Sequence, residues 1–194
     1  MTKARRPRCI SGSSNLVILA AIAIGAAVVF GYQRIADAHK PRALPPDIVS
    51  QAPDIHHLGH GKREVWGFKV YHATLWVCGH SWSASEPHAV ELEPARTIPA
   101  ATLIDAALEE MHDLNLGNKA KLQVWRHEMQ EIVPNVKQGD EFVIFCPVSG
   151  KTLVYLDSRQ KGEVDDTTLC PAIMSIWLHP ASSQQDLRRA LLKQ

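Results

Sequence analysis

Histidine is the first chemistry the sequence offers. "HHLGH" places His56, His57 and His60 within five residues, and His72, His80 and His88 follow. Imidazoles hold metal or haem when they converge and when neighbouring groups fix their tautomers. This cluster falls in a glycine-containing stretch that reads as a loop, and no Glu-x-x-His accompanies it. The expectation is solvated loop histidines, with no metal and no cofactor. "QGDEF" offers a pair of acids, Asp140 and Glu141. Neighbours on a strand point to opposite faces, so the two cannot share one substrate, and Gly139-Asp140 reads as a turn. "VSGKT" (148–152) lacks the spacing of a phosphate loop and sits in a hairpin pattern. No Gly-x-Ser-x-Gly nucleophile elbow is present.

The elements that would position these residues alternate in period. Residues 64–78, "EVWGFKVYHATLWVC", are rich in β-branched and aromatic side chains. Their alternation changes parity between Val70 and Tyr71, which predicts two strand segments with a bulge or short turn between them. "HAVELE" (88–93) predicts a further strand. The period then becomes helical. Ile98, Leu103, Ala106, Ala107, Met111 and Leu114 share a face, with Thr97 as N-cap, Pro99 in the first turn and Gly117 as terminator. A second helix fits Lys119–Ile132 through Leu122, Trp125, Met129 and Ile132. "EFVIFC" and "KTLVYLD" predict a hairpin through "PVSG", and "RQKGEV" reads as another tight turn. Asp165-Asp166 then open a helix carrying Leu169, Ile173, Ile176 and Trp177. Ser182 and Ser183 are N-cap candidates for a last one carrying Leu187, Leu191 and Leu192. Strand blocks alternating with helix pairs predict an α+β fold, with helices packed on one face of an antiparallel sheet.

Charge and cysteine usage bound the setting. Residues 1–42 hold seven Lys/Arg and one acid, leaving fourteen bases and nineteen acids in the remainder. A mildly acidic body excludes an electrostatic case for nucleic acid. The basic residues 1–14 precede an uncharged segment, 15–32, whose apolar core runs from Leu16 to Phe30. That length lies between a secretory signal core and a membrane span. The expectation is an uncleaved N-terminal anchor, with a cleaved signal as the alternative. Either leaves the positive end cytoplasmic and places the body in the periplasm, so the protein is expected at the inner membrane or secreted. Residues 33–57 contain four prolines and read as a spacer, so the folded body is expected over 58–194. Cys78, Cys146 and Cys170 fall in the body without a C-x-x-C motif. They read as small buried hydrophobes, or as one disulfide and one free thiol in an oxidising compartment, with the pair left open.

Five stretches in order carry a resemblance. "LGHGKR" (58–63) is similar to a Gly-x-Gly-x-Arg opening, and "FKVYHATLWV" (68–77) to a Lys-Val-Tyr-x-Ala-x-Leu-Tyr strand. "VELEPARTIPAATLIDA" resembles a third strand and its helix, and "VKQGDEFVIF" carries a Lys-x-Gly-Asp turn. "MSIWLHPASSQQDLRRALLKQ" resembles a helix ending in Ile-Trp-Leu-Gly, followed by Leu-Arg-x-x-Leu-Leu. Together they resemble the bacterial chalcone isomerase-like family across residues 58–194, with His179 standing where that family usually has Gly. The resemblance implies an open-faced sandwich with a cleft between sheet and helices. Plant members of this family close a flavanone ring with a cleft Arg, a strand Thr and a Tyr, and others bind fatty acids with the Arg on the carboxylate.

Arg63 falls on the Gly-x-Arg position. A guanidinium at the mouth of an apolar cleft can fork two hydrogen bonds onto a carboxylate or phenolate. It can equally tie down its own turn through local carbonyls. Tyr71 falls close to the plant strand Thr and could polarise a carbonyl or position a water. It reads equally as a strand Tyr buried against the helices. The remaining catalytic set of the plant enzymes has no counterpart here. The resemblance therefore points to a non-catalytic domain that takes a small apolar, acidic ligand of fatty-acid type, with Arg63 and Tyr71 as its ligand-binding residues. An intramolecular lyase acting on a phenolic or unsaturated carbonyl compound is the first alternative. A structural or partner-binding module of the envelope is the second.

Overall fold

Alternation of side chains builds the sheet. The computed structural model describes residues 41–65 and 67–194, so the predicted anchor at 15–32 lies outside the described residues. Six strands pair antiparallel in chain order: β1 Ile55–Val65, β2 Phe68–Cys78, β3 His88–Pro94, β4 Phe142–Cys146, β5 Thr152–Leu156 and β6 Arg159–Val164. A helix pair, α2 (Ala100–Asp113) and α3 (Lys119–Ile132), is inserted between the neighbouring strands β3 and β4. The chain ends with α4 (Leu169–Leu178) and α5 (Gln185–Leu192). No helix among the described residues is long and apolar enough to cross a membrane.

One sheet face carries Ala73, Leu75, Val77, Val90, Leu92, Phe142, Ile144 and Val154, and these meet the apolar stripes of α2–α5 in the main core. The α+β expectation holds, with one correction. The opposite face is also partly covered, because residues read as spacer form a short helix, α1 (Pro46–Gln51). Leu44, the fully buried Ile48 and Ala52 close a second cluster with Ala89, Val143, Phe145, Leu153 and Tyr155. Burying an Ile side chain contributes about 2 kcal/mol, and Leu44 and Ala52 add to it, so packing on the sheet and not a side-chain cap holds this short helix. The folded body therefore starts ahead of Leu58. Residues 41–194 form one compact unit containing both clusters.

Three other expectations change. "HHLGH" is strand, not loop, since β1 begins at Ile55. β2 runs unbroken from Phe68, and the irregular pairings lie in β1, at His57/Gly59 and Arg63/Glu64. "RQKGEV" is β6 itself. The turn precedes it at Asp157 (φ 50°) and Ser158 (φ 61°), two successive left-handed residues. That pair makes the two-residue turn whose twist matches a hairpin.

Helix α3 occupies the predicted span, and the Asn118 side chain accepts from the Lys121 N–H at its start. Helix α2 starts after Pro99, not at Thr97, because Ile98 is drawn into a bridge with Val136. Asp166 does anchor the next helix. Its carboxylate accepts from the Thr168 N–H (3.0 Å) and hydroxyl (2.6 Å), from Lys121 Nζ (2.5 Å) and from Trp125 Nε1 (3.2 Å). Burial pushes the Asp166 pKa up, but the Lys121 and Thr168 donors outweigh it and hold the group at about 2. A folded-state pKa below the unfolded value stabilises the fold above the ordinary Asp pKa, near 3.9. That contribution is lost as pH falls through about 2. Asp166→Asn should remove part of the acid-limb slope between about pH 4 and pH 2, read by urea denaturation at a series of pH values.

Candidate functional site

Two glycines decide where the last helix sits. A Cβ at Gly59 would lie 2.3 Å from the Leu191 carbonyl oxygen and 2.4 Å from that of Ala190. At Gly61 it would lie 2.8 Å from Leu187 Cδ1 and 3.0 Å from Ala190 Cβ. Gly in a strand marks close approach of another backbone. Here α5 settles into the notch, with Leu187 and Leu191 buried beneath it. Arg63 lies two residues further along the same strand face, opposite Tyr71 in the β1–β2 register. The opening Gly-x-Gly-x-Arg therefore does two jobs, seating α5 and presenting Arg63 beside it.

Around Tyr71 the helix layer supplies a closed polar network. Trp177 Nε1, on α4, donates to the Tyr71 hydroxyl at 3.0 Å, and that hydroxyl donates to Gln184 Oε1 at 3.1 Å. Gln184 is itself buried, and its N–H donates to Ser182 Oγ (3.1 Å), which donates to the Ile176 carbonyl (2.6 Å). Glu110 of α2 accepts from the Ser183 N–H (2.8 Å) and hydroxyl (2.6 Å). Ser182 and Ser183 thus do not cap α5, whose N-cap is Gln184. They lock the α4–α5 loop to the site. His179 ends α4 with φ −63°, an ordinary backbone that needs no Gly, and its Nδ1 accepts from the Ala181 N–H at 3.1 Å.

Burial raises the Tyr71 pKa, and the Trp177 N–H and the Arg63 charge pull the other way without overcoming it. Tyr71 is therefore a neutral phenol used as both donor and acceptor, which makes it a poor general base. Arg63 is half-buried. Among the described residues its guanidinium has no carboxylate within salt-bridge distance and no local carbonyl partner, so the turn-tying role is not seen.

The sequence singles out Arg63 and Tyr71, and the register sets them side by side. It missed Trp177, Gln184 and Glu110 as members of the same site. The indole N–H of Trp177 in an otherwise apolar helix was the available signal, because a buried indole usually finds an acceptor.

Among the described residues, no group of three His, Cys, Asp or Glu that could hold a metal ion occurs. His57 and His60 are nonetheless in contact, with Nδ1 of His60 3.2 Å from Nε2 of His57, on the sheet face away from the helices. A groove of about 300 Å³ lies between α3 and α4, lined by Lys121, Trp125, Thr168, Pro171 and Ser175. Arg63 and Tyr71 do not line it, and its one cation is already engaged by Asp166.

A six-stranded antiparallel sheet with this helix insertion matches known proteins in both sequence pattern and shape. The chalcone isomerase-like family pattern matches residues 39–193. The chain belongs to the chalcone isomerase-like family. Among solved structures, the Arabidopsis thaliana fatty-acid binding protein is similar at 13% identity and a TM-score of 0.56, covering 72% of this chain and 87% of that one. At that identity the likeness shows the fold. No curated protein sequence matches the chain. The family's sheet-and-helix layout is the one described above, with Arg63 and Tyr71 on the surface between the two layers.

Among the described residues, Cys146 and Cys170 form a disulfide that joins β4 to α4, and Cys78 is free.

Proposed function

We propose that this chain is a non-catalytic chalcone isomerase-like domain that binds a small apolar acid between its sheet and its helices. The observation that carries this reading is the half-buried Arg63 guanidinium, which has no carboxylate partner among the described residues and lies opposite a neutral Tyr71. A ligand carboxylate would complete it, accepting a forked pair of hydrogen bonds from Arg63. Tyr71 would turn its O–H from Gln184 to the same carboxylate. The acyl part would then displace apolar contacts between β2 and α4. The similarity to a fatty-acid binding protein supports the ligand class. The raised pKa of Tyr71 supports binding over proton transfer.

The body is proposed to face the periplasm, held by residues 15–32. The disulfide supports an oxidising compartment.

Displacement of a fluorescent fatty acid from delipidated residues 41–194 by palmitate tests the anchor. A charge-assisted contact is worth about 1.5–3 kcal/mol, so Arg63→Ala should weaken palmitate binding by about 10-fold or more. Arg63→Lys should fall between, since Lys keeps the charge and loses the fork. Unchanged affinity in Arg63→Ala would remove Arg63 from the reading. Turnover of a chalcone above the uncatalysed rate, abolished in Tyr71→Phe, would overturn the non-catalytic assignment.

A further inference from the structure

The β1–β2 hairpin reaches past the sheet. Pairing between β2 and β3 stops at Tyr71↔Pro94, while pairing between β1 and β2 continues to Val65↔Phe68. The overhanging end is apolar: Phe68 is 75% exposed and Val65 41%. Trp66 stands between them in the sequence "VWGF", outside the described residues. Single exposed apolar side chains are ordinary on a protein surface. This pair is different because it ends two strands that overhang the sheet, and exposed cations lie beside it. Exposed Lys69 is next to Phe68. Exposed Arg96 follows Ala95, whose N–H donates to the Val70 carbonyl at 2.9 Å. Exposed Lys137 opens the turn whose Gly139 N–H donates to the Pro94 carbonyl at 3.2 Å. The nearby acids are engaged: Glu64 with Lys62 at 3.0 Å, and buried Asp140 with the Lys137 N–H at 2.9 Å.

The described chain starts over the middle of β3, and its first cation reaches toward this end. The Arg42 N–H donates to Glu91 Oε1 at 3.2 Å, and its guanidinium reaches Glu93 at 3.4 Å. Glu93 is paired with His72, four residues from Phe68, which is about 13 Å along a strand. The segment between Tyr32 and Pro41 has a contour of at most about 30 Å.

We propose that the β1–β2 hairpin tip is a second membrane contact, with Val65 and Phe68 entering the headgroup layer and Lys69, Arg96 and Lys137 facing anionic lipid. This rests on the reading of residues 15–32 as an anchor. Aromatic and aliphatic side chains flanked by cations are what a bilayer interface accommodates. The other exposed Val of a hairpin turn, Val148, sits at the opposite end of the sheet, next to the His88↔Cys146 pair, and provides the control.

The test uses the full chain carrying Cys9→Ser and Cys78→Ser, labelled with an environment-sensitive fluorophore at Val65→Cys or Val148→Cys. The chain is reconstituted in phosphatidylcholine vesicles, with and without phosphatidylglycerol, that contain a doxyl-lipid quencher. The label at 65 should be quenched several-fold more than the label at 148. The difference should grow with phosphatidylglycerol and shrink when Lys69, Arg96 and Lys137 are changed to Glu. Equal quenching at both positions, in vesicles that float with the protein, would overturn the hairpin contact and leave the anchor standing. Shielding at 65 from aqueous iodide without lipid quenching would overturn it in favour of a protein partner or a second copy. Failure of the full chain to float with vesicles would overturn both readings.

Discussion

Gly59→Ala is expected to destabilise the domain by about 3 kcal/mol, through overpacking and partial release of a buried helix. The added methyl would stand 2.3 Å and 2.4 Å from two carbonyl oxygens of α5, which are backbone atoms that cannot rotate aside. The helix must move as a unit, and Leu187 and Leu191 must leave the core with it. Urea denaturation should show a lower midpoint with a nearly unchanged slope. Limited proteolysis should cut first in the α4–α5 loop. Gly61→Ala should cost less, because its new contacts are the side chains Leu187 Cδ1 and Ala190 Cβ. The proposed ligand site should suffer as well. Gln184, which accepts from Tyr71, is the N-cap of α5 and moves when the helix does.

Removing the disulfide is the second large effect. Cys146 and Cys170 are 24 residues apart in sequence and tie the central strand β4 to α4. Closing a loop of that length lowers the entropy of the unfolded chain by about 3 kcal/mol at 25 °C. The double change Cys146→Ala and Cys170→Ala should therefore lower stability by about 3 kcal/mol, and dithiothreitol should do the same to the native chain. Cys78→Ala, which breaks no bond, should stay within about 0.5 kcal/mol. The pair of measurements separates the crosslink from the loss of a thiol. Trp177 lies on the helix the disulfide holds, so reduction should also weaken the proposed binding of a fatty acid in the displacement assay.

Much of the fold was legible because its elements obey local periods. The α3 span, the β3 and β4 strands and the apolar stripe of α5 follow from side chains that repeat every 3.6 or every 2 residues. The misreadings share a cause. The residues of α1 have no long stripe, and the helix exists because Ile48 finds a sheet face to cover. Histidines and glycines in β1 carry little strand propensity, and the strand forms because β2 pairs with it along its whole length. Asp157 reads as the end of a strand and the turn as lying after Ser158, until Asp157 and Ser158 both adopt left-handed backbone.

The sequence by itself determined the α+β class and the family motifs, because these depend on composition, period and short spacing. The tertiary structure alone decided which cysteines pair. It also decided that Gly59 exists to receive a helix 130 residues later, and that Trp177, Gln184 and Glu110 gather around Tyr71. Those facts depend on side chains far apart in the chain being packed into contact. No local pattern records such a meeting, because its free energy appears only once the sheet and helices have closed on each other.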